Sequence, residues 1–424
     1  MVLPTLILRH AGLVRPYDFE RLLCVLAAGL LAIVVAACAL GCALTGELIR
    51  YTPREDYFIY LAALVVAGAV LARWPAIAAV PLALATIDLS LGMGSLALRE
   101  TGHAFHSILP HNYNLDRRFE WHALLQARPI PSLSVEVTGN QVSHSSEATR
   151  GRDHDPAELA RKSVIAVFGG SATYDIAVGD DDTWPNQLER QLGPASFAVI
   201  NHGVPGYSTV EHLVQTAFYQ DAFGVPPKCA LYFIGWNDIR NAHIDGIDPG
   251  YARFHLRSQL DGLQVRPFGG DYRSTSPLAT LFVRSASIWL ETVRPPRRIS
   301  GEPKAGSDPV LEAFYLRNVR SISMINRGRG IRTIWVGQIL NLAVLDDDEV
   351  YGWLPLVRNK DVWPLLSRFN QQLNGEPLAL GDIYVDARPD LFSSDDFRDN
   401  GHFLESGSLK LARLLAPIVE QACR

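Results

Sequence analysis

The segment Ser163-Val164-Ile165-Ala166-Val167-Phe168-Gly169-Gly170-Ser171 sets five apolar residues in a row before a glycine pair and a serine. A run without polar alternation describes a strand covered on both faces, as in a parallel sheet. The glycines permit a tight turn and a close approach by another group. Ser171 then falls at the carboxyl end of the strand, where open α/β sheets place their ligands. Gly-Gly-Ser alone is common in ordinary turns, so the weight of this serine depends on its companions.

Downstream of it the rhythm of strand, turn and helix repeats, which predicts an α/β domain with a parallel sheet. Thr183-Trp184-Pro185 starts a helix with Leu188 and Leu192 on one face. Apolar runs at Phe197–Asn201, Cys229–Ile234, Arg332–Gly337 and Asp382–Val385 predict four more strands. Ser307-Asp308-Pro309 opens another helix, along which Leu311, Phe314, Val319, Ile322 and Ile325 recur at helical spacing as far as Gly328, a core-facing stripe. Residues 241–305 interrupt the pattern with Gly, Pro and Arg and no sustained periodicity. Such an insertion is expected to hold loops that shape a substrate site.

Toward the N-terminus the texture changes. The chain has 424 residues, 48% of them hydrophobic, and residues 1–100 are dominated by Leu, Ala and Val. Three membrane spans are expected there, at about residues 21–44, 57–72 and 74–98. The second is short, and one span with a re-entrant or interfacial piece is the alternative. The first exceeds the core of a cleavable signal and is expected to stay as an anchor. Arg9, Arg15 and Arg21 outweigh Arg50 and Arg54, which favours a cytoplasmic N-terminus and places residue 100 onward outside after three spans. Asp88 falls inside the third run, and an intramembrane carboxylate is a functional candidate by default. Residues 101–162 read as an irregular linker, with His103, His106 and His111 as polar residues near the membrane exit rather than metal ligands.

A formal net charge of −5 shows no basic excess and argues against nucleic acid as a partner. Arg294, Arg297 and Arg298 stand among prolines, as in a solvated loop. Cys24, Cys38 and Cys42 lie in the apolar stretch, and Cys229 and Cys423 are too isolated to suggest a disulfide framework.

Serine chemistry needs an exposed hydroxyl, a histidine to take its proton, a group to orient that histidine, and donors for the oxyanion. Asp399-Asn400-Gly401-His402 brings a carboxylate and an imidazole together at a spacing that lets Asp399 bond one ring nitrogen while the other faces a serine. Asn201-His202-Gly203-Val204-Pro205-Gly206-Tyr207-Ser208 and Gly235-Trp236-Asn237-Asp238 each follow a predicted strand, so all four segments gather at one sheet edge.

In these four blocks, over residues 163–424, the chain resembles the SGNH (GDSL-type) hydrolase superfamily. Trp184-Pro185 and the Asn-Gly-His-Phe ending are similar to its bacterial, membrane-anchored branch. The resemblance implies a three-layer, flavodoxin-like fold with a five-stranded parallel sheet, preceded by N-terminal transmembrane helices. It implies Ser171 as nucleophile, His402 as base, Asp399 as its orienting partner, and an oxyanion hole of the Ser171 and Gly206 N–H groups with the Asn237 amide. No metal or cofactor is implied. Gly170 stands where the family has the Asp of its motif. Gly203 is an alternative to Gly206, and His202 and His243 lie near the expected site as structural or substrate-contact residues rather than second bases.

The expected function is ester hydrolysis or acetyl transfer through an acyl-enzyme, on carbohydrate or a lipid-linked substrate of the bacterial envelope. The enzyme domain is expected on the periplasmic side of the inner membrane, with the bilayer and envelope-biosynthesis proteins as partners. A catalytically silent glycan-binding module is the alternative, and a transporter with a soluble appendage is weaker, resting on Asp88 alone.

Overall fold

The computed structural model describes residues 16–45, 54–100, 118–251 and 301–424 apart from 138, 352 and 387, together with 263, 276–279, 281, 282, 285 and 289. His103, His106, His111, Arg294, Arg297 and Arg298 lie outside these, as does most of the insertion. The chain divides into two compact units: Met1–Asp116 with Asp271–Arg297, and Arg117–Gly270 with Arg298–Arg424.

The first is helical. Helices α1 (Pro16–Thr45), α2 (Arg54–Val70) and α3 (Pro75–Glu100) pack through Ala28, Val35, Leu61, Val65, Leu82, Ala85 and Leu89. Asp18–Gly41 and Pro75–Gly94 are long and apolar enough to cross a membrane, whereas the apolar part of the helix between them, Tyr57–Arg73, is shorter. Leu30, Ile33, Ile59, Val66 and Val80 face outward.

The second unit opens with two antiparallel hairpins, β1 (Phe119–His122) with β2 (Gln126–Pro129) and β3 (Ser134–Val137) with β4 (Asn140–Ser143). This ordered structure replaces the irregular texture expected before residue 163. Its strands are only four residues each, too short for alternation to register in the sequence.

A five-stranded parallel sheet follows, from β5 (Ser163–Gly169), β6 (Phe197–Asn201), β7 (Cys229–Ile234), β8 (Arg332–Gly337) and β9 (Ile383–Val385). Its order, β6-β5-β7-β8-β9, is the flavodoxin-like one, with the chain switching direction across the sheet at β5. The helices that flank or lead from the sheet include α4 (Ser171–Tyr174), α5 (Trp184–Leu192), α6 (Thr209–Phe218), α7 (Trp236–Ile239), α8 (Pro309–Gly328), α9 (Asn359–Leu373) and α10 (Glu405–Cys423).

Period-two alternation sorts the strand residues between two cores. Ala166, Phe168, Ala230, Tyr232 and Trp335 join α8 and α9 through Leu311, Tyr315, Val319, Leu366 and Phe369. Ile165, Val167, Leu231, Phe233 and Val336 join α5 and α10 through Trp184, Leu188, Leu411 and Leu415. Both faces are covered, which is why the strands read as unbroken apolar runs.

The expectation of no disulfide is corrected. Cys229 at the start of β7 and Cys423 at the end of α10 are bonded, with Cα atoms 5.8 Å apart across 194 residues. Both are buried in the same core, where packing brings together two thiols that sequence spacing leaves unrelated.

Candidate active site

Ser171 leaves β5 as the first residue of α4, next to the point where the sheet changes direction. At that position its N–H has no acceptor within the helix. His402 Nε2 lies 2.7 Å from Ser171 Oγ, and His402 Nδ1 lies 2.7 Å from Asp399 Oδ2. The other oxygen, Asp399 Oδ1, accepts from the N–H groups of Gly401 (3.0 Å) and His402 (2.9 Å). The turn is therefore tied to its own carboxylate.

Burial raises the Asp399 carboxyl, but the His402 hydrogen bond and charge and the two N–H groups outweigh it and hold it at about 2. The group is ionised wherever the imidazole needs an anionic partner. With side chains 26% and 45% exposed, His402 and Asp399 sit at a shallow, open site rather than in a closed cavity. Asn341 braces the turn from β8's side, its N–H donating to Asn400 O at 3.0 Å.

The second block is held against the helix that Ser171 opens. Asn201 Nδ2 donates to Thr173 O and its Oδ1 accepts from Gly203 N, both at 2.8 Å. A Cβ on Gly203 would stand 2.4 Å from Tyr174 N, so this glycine is required by backbone packing. Gly206 has a different reason to be glycine, a φ of 86° in the turn that closes with Tyr207 N on Val204 O. Tyr207 Oη donates to Ala127 O, so the first hairpin supports this turn. The second hairpin supports α4: His144 Nε2 meets Tyr174 Oη at 2.8 Å. Burial lowers His144 to about 3, so the ring is neutral and accepts there while Nδ1 donates to Ile130 O.

In the third block, Gly235 takes a φ of 126° to turn the chain into α7, and Trp236 N donates to Gln338 Oε1 at 2.7 Å. Asn237 is buried, and its Nδ2 donates to Tyr207 O at 2.8 Å, leaving a second N–H on the same nitrogen. A Cβ on Gly170 would come within 2.2 Å of that Nδ2. With no Cβ at Gly170, the amide lies over the chain beside Ser171.

Two further carboxylates were not singled out for roles in the sequence. Asp238 Oδ1 accepts from Thr209 N at 3.1 Å, Thr209 Oγ1 at 2.6 Å and Tyr251 Oη, locking the third block to α6. Asp175 Oδ2 accepts from Trp184 N at 2.8 Å and Ser408 Oγ at 2.7 Å, joining α4 to α5 and α10. Burial pushes Asp175 up to about 7 and Asp238 up to about 6, against those bonds. Neither stands in a recognisable spacing; only the fold supplies their partners.

His202 is stacked on Phe168, rings 4.8 Å apart, and burial lowers it to about 4. It is a neutral core residue. His243 donates its N–H to Asp308 Oδ2 at the start of α8.

No family model matches the sequence, and no curated protein sequence matches it. Solved structures do. TesA is 11% identical, with 61% of this chain and 99% of that one covered and a TM-score of 0.37. A GDSL-like lipase from Bacteroides thetaiotaomicron is 12% identical over 63% of this chain and 94% of its own, with a TM-score of 0.35. An acetylxylan esterase from Geobacillus stearothermophilus is 10% identical over 62% and 96%, with a TM-score of 0.36. Likenesses of this strength carry no weight for activity by themselves. In its sheet order, its four strand-end blocks and the Ser171–His402–Asp399 geometry, the chain is similar to the SGNH hydrolases.

Proposed function

We propose that the sheet unit is a serine esterase or O-acyltransferase, with Ser171 as nucleophile, His402 as general base and acid, and Asp399 holding the imidazole in its working tautomer. The single observation that carries this is the continuous relay from Ser171 Oγ through His402 to Asp399, at 2.7 Å in both steps. As Ser171 Oγ bonds the acyl carbon, its proton passes to His402 Nε2 and the carbonyl electron pair moves onto oxygen. The N–H groups of Ser171 and Gly206 and the second N–H of Asn237 Nδ2 receive that oxyanion. Collapse expels the alkoxide, which takes the proton from Nε2. Water or an acceptor hydroxyl then attacks the acyl-enzyme, gives its proton to Nε2, and returns Ser171.

The substrate class we infer is an O-acyl, most simply O-acetyl, carbohydrate or lipid-linked glycan at the outer face of a bacterial inner membrane. Three features support it: the shallow open site, the apolar helices of the first unit, and the Cys229–Cys423 bond, since structural disulfides persist in oxidising compartments. Incubation of the full-length protein with a fluorophosphonate probe tests the nucleophile. Label on the unaltered protein and none on Ser171→Ala is expected; equal labelling, or none on either, refutes it. Following a labelled acetyl group from an activated donor onto glycan or onto water separates transferase from esterase.

A further inference from the structure

Asp88 has no exposed surface in the helical unit, where an ionisable group is costly unless its oxygens are fully bonded. Its partners come from two places. Tyr60 Oη on α2 donates to Oδ2 at 2.7 Å. The rest come from the insertion, 188 to 190 residues away: Ser276 Oγ lies 2.9 Å from both carboxylate oxygens, and Leu278 N donates to Oδ1 at 2.7 Å. Ser276 Oγ in turn accepts from Ala279 N at 3.1 Å, the bond of a helix N-cap, with Pro277 in the first-turn position that suits it. Gly92 leaves space for this packing, since a Cβ there would stand 2.4 Å from Tyr57 Oη and 3.6 Å from Pro277 Cγ.

Beyond the cap, the described positions Pro277, Leu278, Ala279, Leu281, Phe282, Ser285 and Trp289 are all helical. Phe282, Ser285 and Trp289 follow at spacings of three and four, one helical face, and the two aromatics are 74% and 63% exposed. The sequence from Pro277 to Val293 holds 17 residues with two charges, Arg284 and Glu291. That falls below the ~20 residues of a typical span and suits an element lying at the hydrocarbon boundary, where Trp is favoured.

We propose that the insertion carries an interfacial membrane element, starting at Ser276 and bearing Phe282 and Trp289, whose aromatic face enters the lipid boundary and whose start is fastened to the spans by Asp88. The occupant of that face is the bilayer, because the same compact unit already turns Leu30, Ile33, Ile59, Val66 and Val80 outward along α1, α2 and α3. On this account Asp88 is a tether rather than part of an ion path. The proposal does not depend on the catalytic assignment.

The test uses full-length protein, with Cys24→Ser, Cys38→Ser and Cys42→Ser, in vesicles of phosphatidylcholine and phosphatidylglycerol. A nitroxide on Phe282→Cys is compared with one on Ile59→Cys, on the outward face of α2, and one on Asp245→Cys, which is open to water, by collision with oxygen and with a nickel chelate. The Phe282 label is expected to favour oxygen, as Ile59 does. Asp88→Leu is expected to move it to Asp245-like behaviour, and Ser276→Ala, which removes one charge-assisted bond, to shift the docked fraction by about tenfold. A Phe282 label that already behaves like Asp245 with Asp88 intact overturns the proposal without any need for the variants to fold. So does a label reached by neither quencher, which would mean a protein partner, or a lipid-like label that Asp88→Leu and Ser276→Ala leave in place.

Discussion

The two units bury polar groups in opposite ways. In the sheet unit they are shared: Asp238, Thr209, Tyr251 and Asn318 form one connected set, with Asn318 Nδ2 on Thr209 Oγ1 at 3.0 Å, and Asn201, Gly203 and Thr173 form another. Among the described residues of the helical unit, Asp88 is the one buried charged or polar side chain, and it gathers all its donors on two oxygens. Networks position a site within fractions of an ångström because each member is held from several sides. A lone carboxylate in an apolar setting does something simpler: it selects which distant segment docks there, because leaving it unbonded is so costly.

The largest expected effects test whether the site's parts act as a unit. Ser171→Ala or His402→Ala should each lower ester turnover by roughly 10⁶-fold, and the double variant should be no worse. Additive losses in a steady-state assay would break the picture of one relay. Asn237→Ala should cost only ~10²–10³-fold, because two backbone donors remain. Gly170→Ala should produce a milder version of the same loss, by displacing Asn237 Nδ2 from beside Ser171, with kcat falling more than KM rises. An unchanged kcat in Gly170→Ala would separate the amide from the chemistry.

Covalent stapling is confined to the sheet unit among the described residues, and it sharpens the contrast further. Cys423→Ser should lower the sheet unit's stability by about 2–4 kcal/mol. Calorimetry should then show its melting point reduced by roughly 3–7 °C, with activity at room temperature unaltered.

A pH-dependent effect concerns Asp175. Its carboxyl is raised from the usual range to about 7 by burial, so between about pH 4 and pH 7 the unfolded chain ionises while the folded one keeps its proton. Stability from this group is therefore greatest below pH 4 and declines up to pH 7. Asp175→Asn, which can still accept from Trp184 N and Ser408 Oγ, should flatten that slope in a melting series. Asp399 acts with the opposite sign. Held at about 2, it adds stability above the usual carboxylate range that is lost as pH falls from about 4 toward 2.

Much of the sheet unit was legible in advance. Strands β5, β6 and β7 are buried throughout and β8 is buried after Arg332, so these appear as apolar runs, while the edge strand β9 is only partly buried; the glycines and polar residues after the strands mark the ends where the site assembles. Ser171, Asn237, Asp399 and His402 stand out because chemistry restricts them to few residue types at short spacings. The hairpins before β5 did not stand out, since strands of four residues carry too little periodicity. Cys229 and Cys423, and likewise Asp88 and Ser276, are pairs made by folding across nearly 200 residues, and nothing local in either sequence announces the other. The capped segment at Ser276 was further hidden by the Gly, Pro and Arg residues around it, which dilute any average taken over the whole insertion.

Position along the chain gives the disulfide one more consequence. Cys229 precedes the insertion and Cys423 lies beyond it, so a protease that cuts anywhere between residues 241 and 305 would make two polypeptides, one holding Ser171 and the other His402, still joined by a sulfur bridge. Ser171 and His402 would migrate as separate bands only after reduction, and until then the molecule would behave as one two-chain protein.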